Sequence, residues 1–130
     1  MKYVPNIVGV LLGLLFIASG ATFLLGMVRM PAMPEGTPAA MYMGAFLPTG
    51  YFHFVKVLEV LGGVLVAIPR TRNYGLLVLG PIIVNILAFE IFIMKGVDLA
   101  GPGAIPMLLV ALPAAYLLWH GRKAFAGLLN

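Results

Sequence analysis

Residues 51–93 read YFHFVKVLEVLGGVLVAIPRTRNYGLLVLGPIIVNILAFEIFI. Two apolar runs, each close to the roughly 20 residues a helix needs to cross a bilayer, flank the polar turn Arg70-Thr71-Arg72-Asn73. A tight polar turn directly after Pro69 predicts an antiparallel helical hairpin. Inside the two runs stand Lys56, Glu59, Asn85 and Glu90. A charge in the hydrocarbon core costs roughly 2.5–3.5 kcal/mol on insertion scales, so it ordinarily has a partner and often a task.

Outward from the hairpin the chain is equally apolar. Of its 130 residues, 62% are hydrophobic and 9% charged, with a mean hydropathy of +1.09. A soluble domain has closer to a quarter of its residues charged, because its surface faces water. Four stretches qualify as spans, at about 5–28, 50–68, 74–94 and 103–120. The expectation is therefore an all-α, four-helix transmembrane bundle forming one domain over residues 1–130. The second and fourth spans are short. Pro81 and Pro113 fall inside helices, where each removes a backbone hydrogen bond that a bundle can tolerate losing. The segment 29–49 is the long loop, rich in Pro and Met, with a short interfacial helix expected over 38–47.

The net charge of +4 and a pI near 9.7 come from basic residues spread over helix ends. That scatter argues against a nucleic-acid partner and fits a topology signal. With the N-terminus inside, the cytoplasmic face holds Lys2, Arg70, Arg72, Arg122 and Lys123, and the outer face holds Arg29 and Lys95 beside Glu35 and Asp98. Both termini are thus expected in the cytoplasm. The five tyrosines (Tyr3, Tyr42, Tyr51, Tyr74, Tyr116) and Trp119 all lie near span ends. Ala18-Ser19-Gly20-Ala21 resembles a signal-peptide cleavage site, but the apolar run around it exceeds the ~7–15 residues of a signal core. An uncleaved first helix is expected. With no cysteine, thiol–disulfide chemistry, Cys-ligated iron–sulfur clusters and Cys-based zinc sites are excluded.

His53, Lys56, Glu59 and Gly63 recur at steps of three, three and four, which lays them along one stripe of the second helix. Glu59 stands 11 residues before Arg70 (70 − 59), or roughly 16 Å at 1.5 Å per residue, near the bilayer midplane. Asn85, 13 residues after Arg72 (85 − 72), reaches a similar depth. Antiparallel pairing brings Glu59 level with Asn85, and Lys56 and His53 level with Glu90. Asn85 and Glu90 are five apart and point about 140° from each other on a regular helix, so Glu90 is expected to meet another helix or Lys95.

Two readings of this polar track stay open. In the structural one, Lys56–Glu59 is a buried ion pair and Asn85 an interhelical hydrogen bond, which specify packing. In the functional one, His53, Lys56, Glu59, Asn85 and Glu90 are candidate ligand-binding residues of a ligand, proton or quinone pocket, with Phe52, Phe54 and Phe89 available as apolar wall. Two acids against one amine would suit a proton carrier. Gly62-Gly63, Gly9-x-x-x-Gly13 and Ala18-x-x-x-Thr22 are small-residue faces suited to close helix packing. Met27, Met30, Met33, Met41 and Met43 could offer soft ligands to Cu(I), but interfacial filling is their commoner role. No catalytic residue and no metal set is assigned.

The stretch from Tyr51 to Ile93 resembles the DoxX family of small four-helix membrane proteins. The resemblance lies in Lys56-x-x-Glu59 followed by Gly62-Gly63, the Arg-bearing turn, and Pro81-Ile-Ile-Val-Asn85-Ile, with Phe16 to Gly20 fitting loosely. Members often carry His where this chain has Glu90, so imidazole ligation of metal or haem does not carry over to that position. The resemblance implies an integral protein of a bacterial or archaeal cytoplasmic membrane. It further implies an accessory or small-ligand subunit of a membrane redox assembly, with quinone as the cofactor class and other membrane subunits or further copies of the chain as partners. A purely structural assembly subunit and a small proton-linked transporter are the rival expectations.

Overall fold

The computed structural model describes residues 3–27, 34–93 and 104–128, the side chains of 104–107 excepted. The described residues form helices and no strand: α1 (Val4–Leu24), α2 (Pro38–Phe46), α3 (Tyr51–Ala67), α4 (Arg72–Ala88), a π-helical turn Phe89–Ile93, α5 (Ala104–His120) and α6 (Arg122–Ala126). Helix bounds fall near those expected from the sequence, the largest differences being α4, whose α-helical part ends at Ala88 before the π turn, and α1, which stops at Leu24. Lys2, Arg29, Met30, Met33, Lys95, Asp98 and the turn expected over 95–102 lie outside the described residues.

Among the described residues two helices are long and apolar enough to cross a membrane: α1, and α4 continued through its π turn (Arg72–Ile93). A third span results if α2 and α3, bent by 83° where they meet, count as one broken crossing. In α5, Leu108–His120 is a shorter apolar helix. The described residues thus form a helical protein with two or three segments long enough to cross a membrane.

The side chains are distributed as a lipid-facing exterior requires. Leu11 and Leu14 on α1, Val84 on α4 and Leu112 on α5 are all exposed. The buried cluster is small and lies on the bundle axis: Leu12 and Phe16 from α1, Val66 from α3, Leu76, Leu79 and Ile83 from α4, Ala114 and Leu117 from α5. Lipid is as apolar as leucine, so close packing rather than water exclusion must hold such helices together. Glycine supplies that closeness. A Cβ on Gly63 would lie 2.7 Å from the Gly13 carbonyl oxygen, and one on Gly62 2.6 Å from Leu79 Cγ. Back to back on α3, these two glycines seat α1 on one side and α4 on the other. Gly13 is likewise part of the seam, whereas Ala18 is exposed and Thr22 bonds its hydroxyl to the Ala18 carbonyl of its own helix, so that pair makes no packing face.

The turn between α3 and α4 is tied by its own side chains. The last carbonyls of a helix have no intrahelical partner. Thr71 Oγ1 donates to the Leu65 carbonyl at 2.8 Å and Arg72 Nε to the Val66 carbonyl at 3.0 Å. At the other end of α3, Gly50 adopts φ 79°, a left-handed conformation that costs glycine little, and lets the chain break sharply from α2. Thr37 caps α2 by accepting from the Ala40 amide at 3.2 Å, with Pro38 at the first helical position.

Candidate ligand-binding site

Lys56 and Glu59 form the ion pair that their i,i+3 spacing allows, with Nζ 3.1 Å from Oε2. Glu59 is only 4% exposed. The third member of the network is Ser19 on α1. Lys56 Nζ donates to Ser19 Oγ at 3.2 Å, and Ser19 Oγ in turn donates to Glu59 Oε1 at 3.5 Å. An ammonium can only donate and a carboxylate can only accept, so the hydroxyl proton is directed at Glu59 and away from Lys56. The trio thus forms a knot that links α1 to the ion pair through one hydroxyl.

The polar stripe points at α1, not squarely at its hairpin partner. Lys56 Nζ also sits 5.7 Å from the centroid of Phe23, and Phe23 meets His53 edge-on at 5.2 Å. Gly20 makes this approach possible, since a Cβ there would lie 2.8 Å from the Lys56 carbonyl oxygen. His53 is solvent- or lipid-exposed and packs as an aromatic ring.

Asn85 stands apart from the knot. Its Nδ2 donates to Tyr42 Oη on α2 at 3.4 Å, so its partner is the short helix of the long loop. Tyr42 itself centres an aromatic group, with ring centroids 4.8 Å from Phe89 and 4.7 Å from Phe46. Between the knot and the Asn85–Tyr42 bond lies a cavity of about 320 Å³, bounded by α2, α3 and α4. Its wall is mostly apolar, with Phe52, Val55, Leu58, Ile82, Ile86 and Phe89, and its polar groups are Lys56, Glu59, Asn85 and Tyr42. Phe54 and Met43 also border it. The volume is at the lower end of small-molecule sites, which pair apolar walls with a few fixed polar groups.

Of the sequence candidates, Lys56, Glu59 and Asn85 share this cavity, whereas His53 and Glu90 are absent from its lining. Glu90 is half-buried on the π turn, whose i→i+5 hydrogen bonding takes it out of the α-helical register of Asn85. Met41 is exposed and Met43 faces the cavity, so these two methionines do not share a position. Among the described residues no three His, Asp or Glu side chains converge as metal ligands would.

A second buried charge has no counterpart in the sequence reading. Arg72, expected as a turn cation, is 8% exposed, and its Nη1 donates to Asn6 Oδ1 of α1 at 3.1 Å. Nη2 is buried without a hydrogen-bond partner among the described residues. The guanidinium lies over Gly9, where any Cβ would collide with it. The available signal was Asn6, a polar residue three before Gly9 in an otherwise apolar helix. Ser19 was equally visible, inside the Ala18-Ser19-Gly20-Ala21 stretch read only as a false cleavage site.

No family model, curated protein or solved structure matches this chain.

Proposed function

We propose that this chain is a four-helix membrane protein of the DoxX type, with both termini cytoplasmic, and that it acts as a small-ligand subunit of a membrane redox assembly. The ligand class is quinone-like: a planar polar head that accepts hydrogen bonds, joined to an apolar tail. The observation that carries this reading is the cavity between α2, α3 and α4, which joins an apolar, partly aromatic wall to Asn85 and the Lys56–Glu59 pair. A purely structural network of Lys56, Glu59 and Asn85 would close on itself. Here Asn85 is held by Tyr42 across the cavity instead. Asn85 Nδ2 is the natural donor to a head-group carbonyl, because its present 3.4 Å bond to Tyr42 is long and readily exchanged. The Lys56–Glu59–Ser19 knot supplies a polar floor without a free charge.

Orientation follows from the excess of Lys and Arg at the end formed by Arg70, Arg122 and Lys123. No catalytic step is assigned to the chain. The test is to purify the protein in mild detergent and identify co-purifying small molecules by mass spectrometry. An isoprenoid quinone retained by the wild-type protein and lost from Asn85→Leu supports the reading. A protein that carries only phospholipid in both forms defeats it and leaves the assembly-subunit role.

A further inference from the structure

Among the described residues, the charged side chains at one end of the bundle are cations. The Arg72–Asn6 bond joins the start of α4 to the start of α1. Gly121, between α5 and α6, lies so near Asn73 that a Cβ there would be 2.9 Å from Asn73 Oδ1. Arg70, in the α3–α4 turn, and Arg122 and Lys123, on α6, therefore belong to one face, and all three are exposed. The four acids of the chain are Glu35, Glu59, Glu90 and Asp98, and none falls in the segments that build this end. Among the described residues none of these three cations forms an ion pair with a carboxylate.

The aromatic side chains at this end specify what does. Trp119 is 62% exposed and Tyr74 67%, each at the level where α5 ends and α4 begins. Such amphipathic rings settle at the head-group layer of a bilayer. The Arg122 guanidinium stacks 4.2 Å from the Trp119 ring while its Nη1 donates to the Trp119 carbonyl at 2.8 Å. That contact pins a cation to the same layer as the ring. Phe125 of α6 packs back on the core, so α6 is seated rather than trailing in water.

We infer that Arg70, Arg122 and Lys123, framed by Trp119 and Tyr74, form a binding surface for anionic phospholipid head groups. Attraction of basic residues to an anionic leaflet decays within a Debye length, and these side chains stand within reach of the ring-marked interface. The inference rests on the membrane reading but is independent of the cavity and its ligand.

The test uses the full chain in nanodiscs of phosphatidylcholine, with or without phosphatidylglycerol, and compares wild type with the triple variant Arg70→Gln/Arg122→Gln/Lys123→Gln. Because the three side chains are exposed, the variant keeps the packed core. Wild type should melt several degrees higher with phosphatidylglycerol, with the gain shrinking as salt rises, and the triple variant should lose most of that gain. Inorganic phosphate added to phosphatidylcholine discs separates the two sources of the anion: an equal gain from phosphate overturns the lipid assignment in favour of a soluble anion. Equal responses of wild type and variant to phosphatidylglycerol overturn the surface altogether. So does an indifferent wild type that instead needs these cations to retain an acidic protein partner.

Discussion

Arg72 and the Lys56–Glu59 pair are both buried charges in helices of a lipid-facing bundle, yet they are built in opposite ways. Among the described residues Arg72 pairs with no carboxylate. Its guanidinium is spread over the Val66 carbonyl and the Asn6 amide oxygen and pressed onto Gly9. Lys56 and Glu59 neutralise each other, are completed by Ser19, and border open space. A buried charge does not by itself mark a ligand site. Arg72 fastens α1 and caps α3, whereas the Lys56–Glu59 pair lines a cavity.

The contrast can be broken first at the ion pair. Lys56→Met leaves the buried Glu59 carboxylate without its cation, at a cost of about 3–5 kcal/mol. Glu59→Gln should cost less, because Lys56 is more exposed, at 16% of its side chain against 5%. The double variant should recover part of the loss. Thermal unfolding in detergent measures all three, and strictly additive losses would show that the pair is not coupled. Next comes Arg72→Met. It removes a charge that no opposite charge balances and leaves neutral acceptors behind, so the loss should be smaller, about 1–3 kcal/mol. It should also leave ligand retention intact, which sharpens the division between fastener and site. A loss as large as that of Lys56→Met would erase the distinction.

Ser19→Ala removes the bridge between α1 and the pair, at about 0.5–1.5 kcal/mol, and the Lys56–Glu59 coupling measured by double-mutant cycle should survive it. Asn85→Leu is the mildest for stability, below about 1 kcal/mol, since it gives up one long hydrogen bond and adds an apolar side chain to an apolar wall. Its effect on ligand affinity should be about tenfold, the value of one well-placed donor.

The helices were legible because lipid demands length and apolarity, and both are written in composition. The α3–α4 hairpin followed from Pro69 and its arginines, and a short helix was expected over 38–47, where α2 forms from Pro38 to Phe46. The Lys56–Glu59 pair was legible because i,i+3 spacing fixes proximity within one helix. What lay across helices was not. The stripe on α3 was expected to look at α4, its neighbour in the chain, but Gly13, Gly20 and Gly63 draw α1 onto that face instead. Asn85 was given the wrong partner, because the fold-back of α2 that delivers Tyr42 depends on an 83° break at a glycine turn. Arg72 was counted as a topology cation because its fate depends on a missing Cβ at Gly9, on another helix.

The most direct test of the ligand cavity is to fill it. Ile86 lies on its wall outside the buried core cluster, so Ile86→Trp should occupy the space while the helices stay packed; Met43→Trp does the same from α2. Equilibrium binding of a short-tailed ubiquinone analogue to protein in nanodiscs should be saturable for wild type and weakened at least tenfold by either tryptophan, with unfolding temperatures close to wild type. Non-saturable partitioning, or saturable binding that neither tryptophan changes, would contradict a ligand site between α2, α3 and α4.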